Sequence, residues 1–159
     1  MKTYTMNKVL IALDFDPTAQ KVAEVGYTFA KSLGAEIFLL HVLVDPVYYT
    51  SIDSFPIIGY TGSLITPIEL LNTDETKKES EKFLEKIKQH LCDESIQTLV
   101  KEGDFADNIL KTAEDLNADM IVLGSHSKRW LEEIIMGSVT ENLLHQSTIP
   151  LFIIPTHKL

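Results

Sequence analysis

Five short apolar runs, separated by longer stretches, most of them amphipathic, constrain the fold of this chain more than any other feature. Val9–Leu13 is apolar at every position and stops at Asp14, which predicts a strand buried on both faces. Ile37–Val44, Ser95–Val100, Asp119–Leu123 and Ile149–Ile154 predict four more strands, with Pro150 and Pro155 limiting the last. After the first run, Asp16 is placed as an N-cap with Pro17 in the first helical turn. Val22, Val25, Gly26, Phe29, Ala30 and Leu33 follow at helical spacing, and Gly34 stands where a helix would end. Asp104 predicts the cap of another helix, whose apolar face is Ile109, Leu110, Ala113 and Leu116. A longer helix is expected over Pro67–Leu91, opened by Thr66 and Glu69 as a capping box. Its stripe is Phe83, Leu84, Ile87 and Leu91, and its Glu and Lys residues make a solvated face. Alternation of this kind implies parallel strands joined by crossover helices, an α/β sheet with helices on both faces. Asp45–Leu64 departs from it, with Tyr48, Tyr49, Phe55 and Tyr60 among prolines and glycines, and reads as a long loop that is functional, an interface, or poorly ordered.

At 159 residues the chain fits one domain spanning 1–159. A domain of that size buries roughly 70% of its unfolded surface, enough for a full core without staples. Hydrophobic residues at 45% and charged ones at 23% exclude a disordered or fibrous chain. No apolar run approaches the ~18 residues of a membrane span. Val9–Leu13 runs too soon into Asp14 and Asp16 to be a signal peptide. The single cysteine, Cys92, excludes an internal disulfide and any multi-cysteine metal site. Lys+Arg 14 against Asp+Glu 23 gives −9, a charge that repels nucleic acids and anionic membranes. The expectation is a soluble, cytoplasmic protein with neither nucleic acid nor membrane as partner.

Chemistry concentrates after the fourth run, in Gly124-Ser125-His126-Ser127-Lys128-Arg129, and in Gly137-Ser138-Val139-Thr140. Glycine at the carboxyl end of a strand lets the backbone turn and a ligand approach. Gly137-Ser138 precedes a helical pattern in Val139, Leu143 and Leu144, so free backbone N–H groups and a helix dipole suit a phosphate there. Other residues read more plainly. Asp16 is better used as a cap than as half of a carboxylate pair with Asp14. His41 reads as a strand histidine with a satisfied ring, and His126 has no second ligand at metal spacing. Ser125, Ser127 and Ser138 lack a base and its orienter, and nothing marks Cys92 as activated. Trp130 reads as a loop anchor or interface residue. No catalytic constellation emerges, so an enzyme reading reaches a weak ATPase at most.

The sequence resembles the universal stress protein family along essentially its whole length. The resemblance lies in Leu33-Gly34-Ala35-Glu36 running into Leu39-Leu40-His41-Val42, and in Gly103-Asp104 before a helix. It is most specific in Ala118–His126, in Gly137-Ser138-Val139-Thr140 and in the closing strand between Pro150 and Pro155. ATP-binding members carry Gly, two residues, Gly, nine residues, then Gly with Ser or Thr. Here the order is Gly124, two residues, Ser127, nine residues, Gly137-Ser138, so the spacing is kept and the middle glycine is a serine.

The resemblance implies an open five-stranded parallel sheet of order 3-2-1-4-5 and a ligand crevice between strands one and four. It implies ATP or AMP as ligand, with Mg only as a companion of ATP. Ala12 and Asp14 match positions beside the adenosine, and Val42 the position that contacts adenine. Leu123, Gly124, His126 and Ser127 match the loop around ribose and phosphates. Gly137, Ser138, Val139 and Thr140 match the helix start that holds the phosphates. A homodimer through the Leu151–Ile154 edge strand is implied as well. The alternative is a dimeric stress-response interaction module that binds no nucleotide because Ser127 replaces the glycine.

Overall fold

In the computed structural model, residues 5–15, 17–43, 73–125 and 139–156 are described. Strand β1 (Lys8–Ala12) leads to α1 (Ala19–Ser32) and β2 (Glu36–Leu43). Helix α2 (Thr73–Leu91), β3 (Gln97–Glu102), α3 (Phe105–Leu116), β4 (Met120–Gly124), α4 (Val139–Gln146) and β5 (Leu151–Ile154) follow. The sheet has the order β3-β2-β1-β4-β5, and every neighbouring pair is parallel. This is the expected α/β architecture.

The apolar runs are continuous because both faces of the sheet are covered. Val9, Ile11, Ile37, Leu39 and Val122 face α1 and α2, which contribute Val22, Ala23, Ala30, Leu84 and Ile87 to that core. Leu10, Phe38, Leu40, Ile121 and Leu123 face the other way, against Ala106, Ile109 and Ala113 of α3 and Leu143 of α4. Helix α1 rides close to the sheet: a Cβ on Gly26 would stand 3.0 Å from Val122 Cγ1 and 3.1 Å from Ile11 Cδ1.

Helix ends follow local chemistry. Gly34 takes φ +68° after α1, and its N–H donates to Lys31 O while that of Ala35 donates to Ala30 O. That is a Schellman ending, as the glycine's placement predicts. Asp104 caps α3, its Oδ1 accepting from the Asp107 N–H at 3.0 Å. The start of α1 differs from expectation. Thr18, not Asp16, is the N-cap, and its carbonyl takes the first helical bond from Val22 N–H. Pro17 therefore precedes the helix instead of entering its first turn; Asp16 itself lies outside the described residues.

Two strands are displaced for identifiable reasons. Ser95 is held in a turn by Asp93, whose Oδ1 accepts from its N–H at 2.9 Å, so β3 starts at Gln97 and continues through polar Lys101 and Glu102. The run at 149 loses its first two residues because the Ile149 N–H donates to Ser147 Oγ and Pro150 has no N–H. The other strands shift by one residue from expectation. The loop expected over Asp45–Leu64 and the capping box of Thr66 and Glu69 fall outside the described residues.

Candidate functional site

Strands β1 and β4 are tied together at their amino ends and part at their carboxyl ends. At the amino end the Asp119 carboxylate accepts from the backbone N–H groups of Asn7 (2.8 Å) and Lys8 (3.0 Å), and Asp119 N–H donates to Lys8 O. Their ladder runs from Val9↔Met120 to Ile11↔Val122 and stops, although β1 continues to Ala12 and β4 to Gly124. Beyond that point each strand stays with its outer neighbour. Ala12 pairs with Leu40 and Leu13 N–H donates to Leu40 O, while Gly124 pairs with Ile154 and Ser125 N–H donates to Ile154 O. The parting lies where crossovers leave in opposite directions, the switch point at which open α/β sheets take ligands.

The residues expected at the site divide into three groups. Ala12, Val42, Leu123 and Val139 share the α3/α4 face of the sheet, with Val42 and Leu123 each only 4% exposed. Asp14 lies two residues past the end of β1 and is half-buried. Thr140 stands in the first turn of α4, and its buried Oγ1 has no hydrogen-bond partner among the described residues. A lone buried hydroxyl beside a helix start is a donor for an anion in that place. His126, Ser127, Gly137 and Ser138, along with Lys128, Arg129 and Trp130, fall outside the described residues.

Gly124 lies at the parting, yet its missing side chain is not an opening. A Cβ there would meet Val22 Cγ2 at 2.9 Å and Thr156 Cγ2 at 3.1 Å, so the protein's own side chains fill the space. The glycine is required by the packing of α1 and of the chain after β5.

His41 has the satisfied ring expected of it, in a setting that sequence reasoning missed. It is buried in β2, and its Nδ1–H donates to Leu13 O at 2.8 Å; a carbonyl only accepts, which settles the tautomer. Burial lowers its pKa from the ordinary histidine value against the opposing pull of that bond. Its ring lies 4.3 Å from Phe15, which lies 4.7 Å from Phe83 of α2. The available signal was a histidine inside an otherwise apolar strand. Cys92 is exposed and takes φ +53° just after α2, where it ends the helix.

Comparison with known proteins converges on one family. A family model described as the universal stress protein family matches residues 5–155. Universal stress protein YxiE of Bacillus subtilis is 31% identical over 93% of this chain and 98% of its own. Among solved structures, universal stress protein UspA from Lactobacillus plantarum superposes with TM-score 0.72 at 18% identity, covering 96% of this chain and 99% of that one. A universal stress protein in complex with cAMP superposes at 0.64 with 15% identity, covering 97% of this chain and 100% of that one. One from Archaeoglobus fulgidus in complex with dAMP gives 0.54 with 16% identity, covering 94% and 98%.

Proposed function

This chain belongs to the universal stress protein family, and from that premise we propose that it binds an adenine nucleotide, ATP or AMP, where β1 and β4 part. The observation that carries the reading is the ladder that stops at Ile11↔Val122 while both strands run on. Relatives in complex with cAMP and dAMP support the choice of an adenine nucleotide. Ala12, Val42 and Leu123 supply an apolar wall for the base, and Asp14 a carboxylate at the level of the ribose. Phosphates go to the start of α4, where Gly137, Ser138 and Val139 offer backbone N–H groups and Thr140 its buried hydroxyl. His126 and Ser127 line the ribose and phosphates from the loop after β4. Mg2+ enters only as part of an ATP complex, carried on the phosphates. The role is that of a nucleotide-responsive binding protein in stress response.

Ser127 favours a second reading, a dimeric interaction module in which the serine side chain closes the phosphate position. Both readings share a homodimer built through β5, which among the described residues pairs with β4 alone and carries half-buried Leu151, Phe152 and Ile153. Mass spectrometry of small molecules released from the purified, denatured protein separates the two readings: adenine nucleotide is expected. In titration calorimetry with ATP, Gly137→Val should abolish binding, because its side chain projects among the phosphate-holding N–H groups. Ser127→Gly should bind as well as the parent or better. Equal affinity of Gly137→Val and parent would remove the phosphate site from α4.

A further inference from the structure

We infer that His41 is a positioning residue of the nucleotide site, holding the exit of β1 and hence Asp14 in place, an inference that rests on the nucleotide site proposed above. Where Asp14 leaves the sheet, β4 no longer supports β1, because their ladder has ended at Ile11↔Val122. At Leu13, the residue before Asp14, the backbone is held by β2. The Leu13 N–H donates to Leu40 O at 2.8 Å, and the Leu13 carbonyl accepts from His41 Nδ1 at 2.8 Å. Both backbone polar groups of the residue before Asp14 are thus committed to β2.

The residue after Asp14 is held by the same imidazole. Phe15 lies 4.3 Å from the His41 ring at a tilted angle, and Phe83 of α2 closes the stack at 4.7 Å from Phe15 and 5.9 Å from His41. One buried ring therefore fixes the chain on each side of Asp14, by a hydrogen bond at Leu13 and by stacking at Phe15. It does so from the α1/α2 side, where Leu13 also packs, while the apolar wall of the crevice lies on the α3/α4 side. Ligand-binding residues need such support to hold a productive geometry. Desolvation lowers the ring's pKa, while the bond to the Leu13 carbonyl pulls it the other way.

The test compares His41→Phe, which keeps the stack and loses the donor, with His41→Asn, whose side-chain amide nitrogen can stand where Nδ1 does. ATP affinity is measured by calorimetry, and amide exchange by NMR without nucleotide. We expect His41→Phe to weaken ATP binding about tenfold or more. Exchange should rise at residues 13–15 while Val9–Ile11 stay protected, and His41→Asn, which regains the donor without the ring, should recover part of the lost affinity and of the protection at Leu13. Parent-like ATP affinity in His41→Phe overturns the inference. So does a loss that His41→Asn fails to rescue, or a rise in exchange spread over the whole sheet, which marks a merely structural residue. A flat isotherm from the parent itself overturns the nucleotide reading instead, and is recognised before any variant is measured.

Discussion

Gly34 and Gly124 show two different reasons for a glycine. Gly34 has open space around its Cβ position but sits at φ +68°, so Gly34→Ala should cost about 1 kcal/mol through backbone strain. Gly34→Asn should recover part of that loss, since Asn117 already takes φ +52° at the end of α3. At Gly124 the obstacle is steric: Val22 and Thr156 stand 2.9 and 3.1 Å from a Cβ. Gly124→Ala should therefore cost about 1–3 kcal/mol, with no rescue by asparagine. Urea unfolding of these variants and of Gly124→Asn checks both accounts; an asparagine that helps at Gly124 would contradict the packing explanation. His41 brings a pH dependence of its own. Its folded pKa is lowered, so the unfolded chain takes up a proton at its ordinary pKa while the folded chain does not. Stability is fully present above about pH 6.5 and falls as pH drops below it. Melting temperatures between pH 7.5 and 5 should drop less steeply in His41→Phe than in the parent. Equal slopes would mean that the imidazole is protonated in the folded state.

Among the elements, β5 has the most consequence beyond the single chain. It is four residues long, pairs with β4, and among the described residues has no strand along its outer edge. Phe152 leans on Phe29 of α1 at 4.7 Å, so the strand is anchored on one face. Two copies meeting antiparallel about a two-fold axis would satisfy its edge groups in an isologous contact. Light scattering after size exclusion should report about twice the chain mass of 17.9 kDa. Ile153→Pro should shift the mass toward one chain with far-UV circular dichroism preserved, by removing a donor from the edge. A parent that stays monomeric at high micromolar concentration would defeat the edge-strand dimer. The opposite end of the sheet is secured differently. There Lys31 Nζ and the Tyr27 hydroxyl both donate to Asp93 Oδ2, at 2.8 and 3.1 Å, joining α1 to the turn before β3. Lys31, then Ser95, hold the Asp93 carboxyl well below the usual carboxylate range, so the stability this tie contributes is full above about pH 4 and is lost progressively as the pH falls toward the lowered folded pKa.

Across the whole molecule the sheet is tied at one end and open at the other. Asp119 binds β1 to β4 at their amino ends, whereas their ladder stops before their carboxyl ends. A ligand that bridges such an opening joins two halves of the sheet, β3-β2-β1 and β4-β5. Binding only to the folded state adds about 2.7 kcal/mol at a hundred times Kd. For a chain of this size, saturating ATP should therefore raise the melting temperature by on the order of 5–10 °C. Gly137→Val should show no such rise. An unchanged melting temperature in the parent at millimolar ATP would count against the nucleotide site.

How much of this was legible beforehand depends on the range of the interaction. Short-range chemistry was legible: the apolar runs, the Asp104 cap, the glycine ending α1 and the stripe of α2 are set by neighbours within a few residues. Gly124 and Gly137-Ser138 stood out by their positions, whereas strand order and the other candidate site residues were reached through resemblance to a family, not from periodicity, which cannot say which strands lie side by side. Strand limits were less legible, because Ser95 and Ile149 are claimed by side-chain hydrogen bonds that compete with the ladder. Three matters were decided by tertiary structure alone. Gly124 serves the packing of Val22 and Thr156, residues distant in the chain. The ladder between β1 and β4 ends before the strands do, because each holds to its outer neighbour. His41 reaches Leu13 and Phe15 across two strands and is closed over by Phe83. A sequence specifies which groups seek burial and partners; only the folded chain determines which distant groups meet, since that depends on filling one shared volume.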